Sequence, residues 1–96
     1  MRYDQIEHRL ADWDFRKNGK KPVDLQRAVV KLMEEVGELA RAILKGDTEN
    51  AKEEMADVAI ICTKIARGLD TVLFDEMIAK YHILEKRLET GVKEKK

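Results

Sequence analysis

The four-residue segment Lys45-Gly46-Asp47-Thr48 separates two long stretches of helical periodicity. Glycine commonly ends a helix, whereas aspartate and threonine are favoured at the start of one, so this order predicts the end of one helix and the start of the next. A connection this short brings two helices together side by side. The segment therefore predicts a central antiparallel helical hairpin.

Acidic residues occupy matching positions on the two sides of this connection. Glu38 and Glu54 each lie eight residues from Gly46, while Glu35 and Asp57 each lie eleven residues from it. Residues equally distant from the turn of an antiparallel hairpin face each other, so each pair is expected at one level. Facing carboxylates repel one another and need a cation, and oxygen-only ligation favours Mg²⁺ or Mn²⁺. We predict a metal site formed by these four acids.

Helical rotation of about 100° per residue gives the expected orientation of each acid. Glu35 falls on the rim of the apolar stripe of the first of these helices, and Glu38 lies about 60° beyond it. Glu54 falls within the apolar face of the following helix, with Asp57 about 60° away. A buried carboxylate without a partner is costly, so Glu54 is the acid that most needs a cation. Glu34 lies outside the stripe and is expected at the surface.

The periodicity of the whole chain predicts an all-α fold with four helices. One proline, five glycines and the lack of an alternating pattern argue against strands. The helices are expected over about residues 3–16, 24–45, 48–67 and 71–89, followed by a frayed tail over 90–96. Gly68-Leu69-Asp70-Thr71 is expected to end the third helix and cap the fourth. Ninety-six residues predict a single domain, 1–96, small enough that oligomerisation would add to its stability.

Apolar residues at alternating spacings of four and three form a packing seam on two of the helices. The seam of the second helix consists of Leu25, Val29, Leu32, Val36, Leu39 and Ile43. The seam of the fourth consists of Leu73, Met77, Tyr81, Leu84 and Leu88. The centre of the third helix, residues 58–62, is apolar on nearly all sides, which indicates a second packing partner. We expect a subunit interface there, and hence a homodimer or homotetramer.

Composition limits the function classes. Nineteen basic and nineteen acidic side chains give zero formal net charge, so binding to nucleic acid or to an anionic membrane is not expected. No apolar run approaches the roughly 18 residues of a membrane span. The single cysteine excludes an internal disulfide, and no charged-then-apolar leader opens the chain. The expected location is the cytoplasm.

The sequence Glu34-Glu35-Val36-Gly37-Glu38, followed after fifteen residues by Glu54-Met55-Ala56-Asp57, resembles the EExxE and ExxD signature of the MazG-type nucleoside triphosphate pyrophosphohydrolases. The similarity extends from about Leu25 to Arg87. It implies a four-helix MazG-like bundle that cleaves a nucleoside or deoxynucleoside triphosphate to the monophosphate and pyrophosphate with Mg²⁺.

The resemblance also assigns roles to individual acids. It implies that the metal ligands are Glu35, Glu38, Glu54 and Asp57, the four acids that the hairpin geometry selects. It implies that Glu34 is an auxiliary ligand or orients a water molecule. Glu34 and Glu38 are the candidates to accept the proton of that water.

Four further residues are candidates for substrate contact. Trp13 either packs in the core or stacks on the base; the resemblance adds support for the base, because related dCTP pyrophosphatases place an aromatic residue there, and both alternatives stay open. Lys31, one turn before Glu35, is expected to form a salt bridge with that carboxylate, and contact with a phosphate is the alternative. Lys80 and Arg87 match a lysine and an arginine that many family members carry on the last helix, although leucine replaces the asparagine between them.

Several alternatives stay open. A non-enzymatic helical interaction module would use the acids as a solvated or salt-bridged surface, which the position of Glu54 in the apolar face disfavours. A phosphoribosyl-ATP pyrophosphohydrolase or a dimeric dUTPase of the same superfamily would share the metal site. A di-iron carboxylate bundle is disfavoured because the sequence contains no Glu-x-x-His pair.

Overall fold

The computed structural model describes residues 1–91, apart from the side chains of Tyr3 and Asp4. Four helices follow one another: α1 (Tyr3–Asn18), α2 (Leu25–Lys45), α3 (Thr48–Gly68) and α4 (Leu73–Thr90). No strand occurs between residues 1 and 91, so the predicted all-α fold is confirmed. Each helix boundary lies within two residues of the expected one. The predicted frayed tail lies outside the described residues from residue 92 onward.

Local signals in the sequence determine the ends of α2 and the start of α3. Gly46 ends α2 in the left-handed conformation, with φ at 74°, which glycine adopts without strain. The Asp47 carboxylate then accepts a hydrogen bond from the Asn50 N–H at 3.2 Å. At the start of α2, the Asp24 carboxylate accepts one from the Arg27 N–H at 3.1 Å. The predicted C-cap at Gly46 and the predicted start of the next helix at Asp47 are confirmed.

The pair formed by α2 and α3 has the most extensive helix–helix contact of the described residues. The buried residues of α2 are Ala28, Glu35 and Ala42, which recur every seven residues along one face. At the end of α3, a side-chain carbon placed on Gly68 would lie 2.7 Å from Leu25 at the start of α2. Small residues therefore allow the two helices to approach closely.

The predicted packing seam of α2 is wrong at three positions. Val29, Val36 and Ile43 are exposed. The apolar stripe of α2 is wide enough to cover two adjacent faces, and the face with the alanines is the one that admits α3 at short distance. Glu35 consequently lies within the packed face of α2, not on its rim, and only 8% of its surface is exposed.

Helices α1 and α4 are joined by a long-range cap. The Glu7 carboxylate on α1 accepts hydrogen bonds from the Leu73 N–H at 2.8 Å and the Phe74 N–H at 2.7 Å. The prediction that Thr71 caps α4 is wrong, because α4 begins at Leu73 and its first N–H groups are satisfied from α1. Thr71 instead donates its hydroxyl hydrogen to Glu76 at 2.5 Å.

Helix α4 leaves three of its five seam residues, Met77, Tyr81 and Leu88, exposed within the part of the chain that the structure describes. It has no buried residue, and Leu88 is 80% exposed. An apolar groove of about 730 Å³ runs between α1, α3 and α4 and is lined by Ala59 and Ile60 from the centre of α3, together with Phe74 and Met77 of α4. Residues 1–91 contain no helix long and apolar enough to cross a membrane.

Candidate metal centre

Three carboxylates converge where α2 and α3 pack together. Glu35, Glu38 and Glu54 each place one oxygen atom within 4.8 Å of the others. Glu35 takes a position in the packed face between Ala28 and Ala42, where an apolar residue would ordinarily lie. Carboxylates this close repel one another unless a proton or a cation lies among them. We refer to these three residues as the acid cluster.

One oxygen of the acid cluster has no partner. Glu54 Oε2 is shielded from solvent and accepts no hydrogen bond from any described residue. Buried side-chain oxygens nearly always have a partner in folded proteins, so an isolated one needs an explanation. Contact with Glu35, burial and the charge of Glu38 raise the pKa of Glu54 to about 7. A pKa raised to this extent lets Glu54 take up a proton near neutral pH, which relieves the same repulsion that a cation would relieve.

Lys31 supplies a positive charge beside the cluster. Its Nζ atom lies 3.1 Å from Glu35 Oε1 and 3.7 Å from Glu34 Oε2, so the salt bridge predicted for Lys31 and Glu35 is confirmed. Contacts with Glu54 and Lys31 lower the pKa of Glu35, and the Glu35 carboxylate raises the pKa of Lys31. A single ammonium group does not balance three carboxylates, and the cluster retains negative charge when all three are ionised.

The donor set fits a hard divalent cation. All three groups offer carboxylate oxygens, the ligands that Mg²⁺ and Mn²⁺ prefer, and three protein ligands leave positions for water or phosphate oxygens. The unpartnered Glu54 oxygen is the kind of atom that such an ion would satisfy.

The other predicted acids lie at the edge of this geometry. Asp57 is exposed on α3 and is not among the carboxylates that meet in the described structure. Its role as a metal ligand stays a prediction. Glu34 is exposed, as expected, and is linked to the cluster through Lys31.

The predicted substrate contacts are more widely spread. Trp13 is 48% exposed, and Lys17 Nζ lies 4.9 Å from the centre of its ring, so core packing does not account for this tryptophan. Lys80 and Arg87 lie on α4, which does not pack against α2. Within one protomer, therefore, no helix contact brings them to Glu35 or Glu38.

A cavity of about 490 Å³ lies beside Lys31 and Glu34. It is also lined by Arg27 and Lys64, neither of which the sequence analysis selected. Arg27 lies four residues before Lys31 and therefore on the same face of α2, so this spacing in the sequence could have identified it as a neighbour of Lys31. Lys64 comes from α3 and reaches the cavity only because the two helices pair.

Comparison with known proteins identifies the family. The family model described as the MazG nucleotide pyrophosphohydrolase domain matches residues 24–87, which are 64 of the 96 residues. The matched range contains all of α2 and α3, and with them the whole acid cluster. Neither the curated proteins nor the solved structures that were compared with the chain gave a match.

Proposed function

Because the chain belongs to the family of MazG nucleotide pyrophosphohydrolases, we propose that it cleaves nucleoside or deoxynucleoside triphosphates in a Mg²⁺-dependent reaction. Water adds across the bond between the α- and β-phosphates, and the products are the monophosphate and pyrophosphate. The observation that carries this proposal is the acid cluster, in which a buried carboxylate oxygen has no hydrogen-bond partner among the described residues.

Glu35, Glu38 and Glu54 would hold Mg²⁺, with Mn²⁺ as the alternative ion, and Asp57 is the proposed fourth ligand. When bound, the cation supplies charge neutralisation for the triphosphate and makes a water molecule more acidic. Burial of Glu35 in the face of α2 that also carries the buried Ala28 and Ala42 would limit the motion of its carboxylate before substrate arrives.

Glu34 and Glu38 are the proposed acceptors of the proton that the reacting water loses. Glu34 is exposed and is held at 3.7 Å by Lys31, so it is accessible to water at the edge of the acid cluster. Lys31 has two tasks in this scheme: it neutralises Glu35 before a cation binds, and its ammonium group can contact a phosphate once the cation has taken over that task.

Trp13 is the proposed stacking surface for the base. Its ring is exposed and has a lysine ammonium over one face, where a planar nucleobase would compete favourably for the same surface.

Lys80 and Arg87 are proposed to contact the triphosphate within a homodimer or homotetramer. The exposed apolar seam of α4 and the groove beside it favour a second copy of the chain as the covering partner. In such an assembly α4 of one copy can approach α2 of another, which it does not do within a protomer. A nucleotide substrate and the free thiol of Cys62 are both compatible with the cytoplasmic location proposed for the protein.

The test is a panel of nucleoside triphosphates with Mg²⁺, including dUTP, dCTP and phosphoribosyl-ATP, scored for pyrophosphate against phosphate release. Glu38→Gln and Asp57→Asn should abolish pyrophosphate release while helical circular dichroism stays at the wild-type level. Glu53→Gln, an exposed glutamate beside Glu54 on α3, is the matched control and should retain activity.

Turnover by the Glu38 variant at the wild-type rate would refute the mechanism. A wild-type protein that cleaves no triphosphate, and whose thermal stability ignores Mg²⁺ and Mn²⁺, would favour the non-enzymatic interaction module instead.

A further inference from the structure

The lining of the cavity beside Lys31 carries one more positive than negative side chain. Arg27, Lys31 and Lys64 contribute three positive charges, and Asp24 and Glu34 contribute two negative ones. Both acids already have partners: Asp24 caps α2 through the Arg27 N–H, and Glu34 lies near Lys31. Lys31 is thereby balanced by Glu34 and Glu35. Arg27 and Lys64 are the lining cations that remain for a ligand.

Two of the three cations are available for a ligand. The Arg27 guanidinium forms no hydrogen bond or salt bridge with any described residue, and the residue is exposed. Lys64 Nζ lies 3.8 Å from Asp14 Oδ1, a long contact. Asp14 has closer partners of its own, with the Asn18 amide at 2.6 Å and Arg67 Nη2 at 3.0 Å, so it does not depend on Lys64.

The position of the cavity connects it with the acid cluster. Lys31 lines the cavity and also contacts Glu35 at 3.1 Å, so the two sites share a boundary. Among the residues that the structure describes, no aromatic side chain lines the cavity, which argues against a stacking site for a base. Arginine and lysine are the residues that recognise phosphate groups through charge-assisted hydrogen bonds.

We infer that this cavity binds the terminal phosphates of the triphosphate, with Arg27 and Lys64 as direct contacts and Lys31 at the boundary to the acid cluster. The inference rests on the proposed pyrophosphohydrolase function and adds the residues that hold the leaving pyrophosphate. The remaining apolar lining, Ala28, Val30 and Ile61, provides a wall without competing acceptors.

The first experiment measures the binding of inorganic pyrophosphate by calorimetry in excess chelator. The acid cluster without metal repels this anion, so binding under these conditions reports on the cavity. Wild-type protein should bind it, and Arg27→Gln and Lys64→Gln should each bind it about tenfold more weakly. Arg9→Gln and Lys86→Gln, exposed cations on α1 and α4, are the matched controls and should bind like wild type. No binding by wild type, or equal binding by cavity and control variants, would overturn the inference.

Asp14→Asn separates direct contact from a structural role of Lys64. This variant keeps Lys64 but removes its acidic neighbour, so it should bind pyrophosphate at least as tightly as wild type. If Lys64 acted only by tethering α1 through Asp14, Asp14→Asn would weaken binding as much as Lys64→Gln, and the direct contact would be refuted.

Steady-state kinetics distinguish failure of the cavity from failure of the proposed function. Arg27→Gln should raise KM for the triphosphate about tenfold and change kcat by less than about threefold. An active wild type with an unchanged KM in this variant overturns the cavity alone. An inactive wild type whose cavity variants still lose pyrophosphate binding overturns the proposed function and leaves the cavity standing.

Discussion

Glu7 on α1 and Glu54 on α3 are both glutamates that reach another helix, but the groups that surround their carboxylates are of opposite kinds. Both oxygens of Glu7 accept backbone hydrogen bonds, from Leu73 and Phe74. Glu54 has other carboxylates as neighbours, and one of its oxygens is buried with no donor in the described part of the chain. A carboxylate surrounded by donors stabilises the fold by itself, whereas one surrounded by acids needs a ligand to complete it.

The turnover rate is the quantity for which changes at Glu54 and at Glu7 should differ most. Loss of a group that only orients a metal ligand typically lowers activity by roughly 10–100-fold. Because Glu54 is proposed to hold the metal directly, Glu54→Gln should lower kcat for pyrophosphate release by more than that. Glu7→Gln should leave the kcat of the folded protein within about twofold of wild type, since Glu7 lies on the α1–α4 contact. The measurement is steady-state turnover at saturating substrate and Mg²⁺. Equal losses in the two variants would remove the distinction between the two carboxylates.

Thermal unfolding with and without Mg²⁺ gives the next largest effect. At a Mg²⁺ concentration of 100 times its Kd, ligand linkage should raise the free energy of unfolding of the wild-type protein by about 2.7 kcal/mol. Glu54→Gln should unfold at the same temperature with and without Mg²⁺. At about pH 9, above the pKa of about 7 that Glu54 has without metal, its metal-free midpoint should exceed that of wild type, because an amide can donate to the Glu35 or Glu38 carboxylate where an ionised carboxylate only repels. A lower metal-free midpoint would show that Glu54 already has a stabilising partner.

Glu7→Gln measures how much the carboxylate with two backbone donors contributes to the stability of the fold. A glutamine side chain ends in one oxygen and one NH₂ group, so only one of its two terminal atoms can accept a hydrogen bond from the N–H groups at the start of α4. The variant should therefore lose about 2 kcal/mol of stability. Urea unfolding at fixed protein concentration checks this value. Glu85→Gln, whose exposed carboxylate only accepts the Tyr81 hydroxyl, is the control and should change stability by less than about 0.5 kcal/mol.

The contrast also explains which features could be predicted from sequence. The caps at Asp24 and Asp47 use donors three residues away, so their local residue pattern identifies them. The cap from Glu7 joins residues that are 66 positions apart, and nothing near α4 indicates it. The convergence of Glu35, Glu38 and Glu54 follows from spacing around Gly46, because a short connection fixes which positions of two helices meet.

The error about Glu35 has a physical cause. Periodicity weighted by hydrophobicity favours the face with Val29, Val36 and Ile43, since valine and isoleucine carry more apolar surface than alanine. Helix approach depends instead on small side chains, so α3 packs on the face with Ala28 and Ala42. The large apolar residues remain exposed for another partner, and an acid lies in the middle of the close contact, where its burial makes a bound cation more favourable.

Asp14 gives the smallest and most selective effect, because its carboxylate has hydrogen-bond and ion-pair partners and its charge can be removed by lowering the pH. Burial raises the pKa of Asp14, but the Asn18 amide, Lys64 and Arg67 outweigh this effect and bring it below the ordinary value of 3.8. An acid with a lowered folded-state pKa contributes stability above its unfolded-state pKa and loses that contribution as the pH falls through the folded-state value. Asp14→Asn should therefore be less stable than wild type by about 1 kcal/mol above about pH 5, and the difference should shrink toward zero below about pH 3. Urea unfolding of both proteins over this range measures it, and a difference that stays constant with pH would mean that Asp14 stabilises the α1–α3 contact through hydrogen-bond geometry alone and not through its charge.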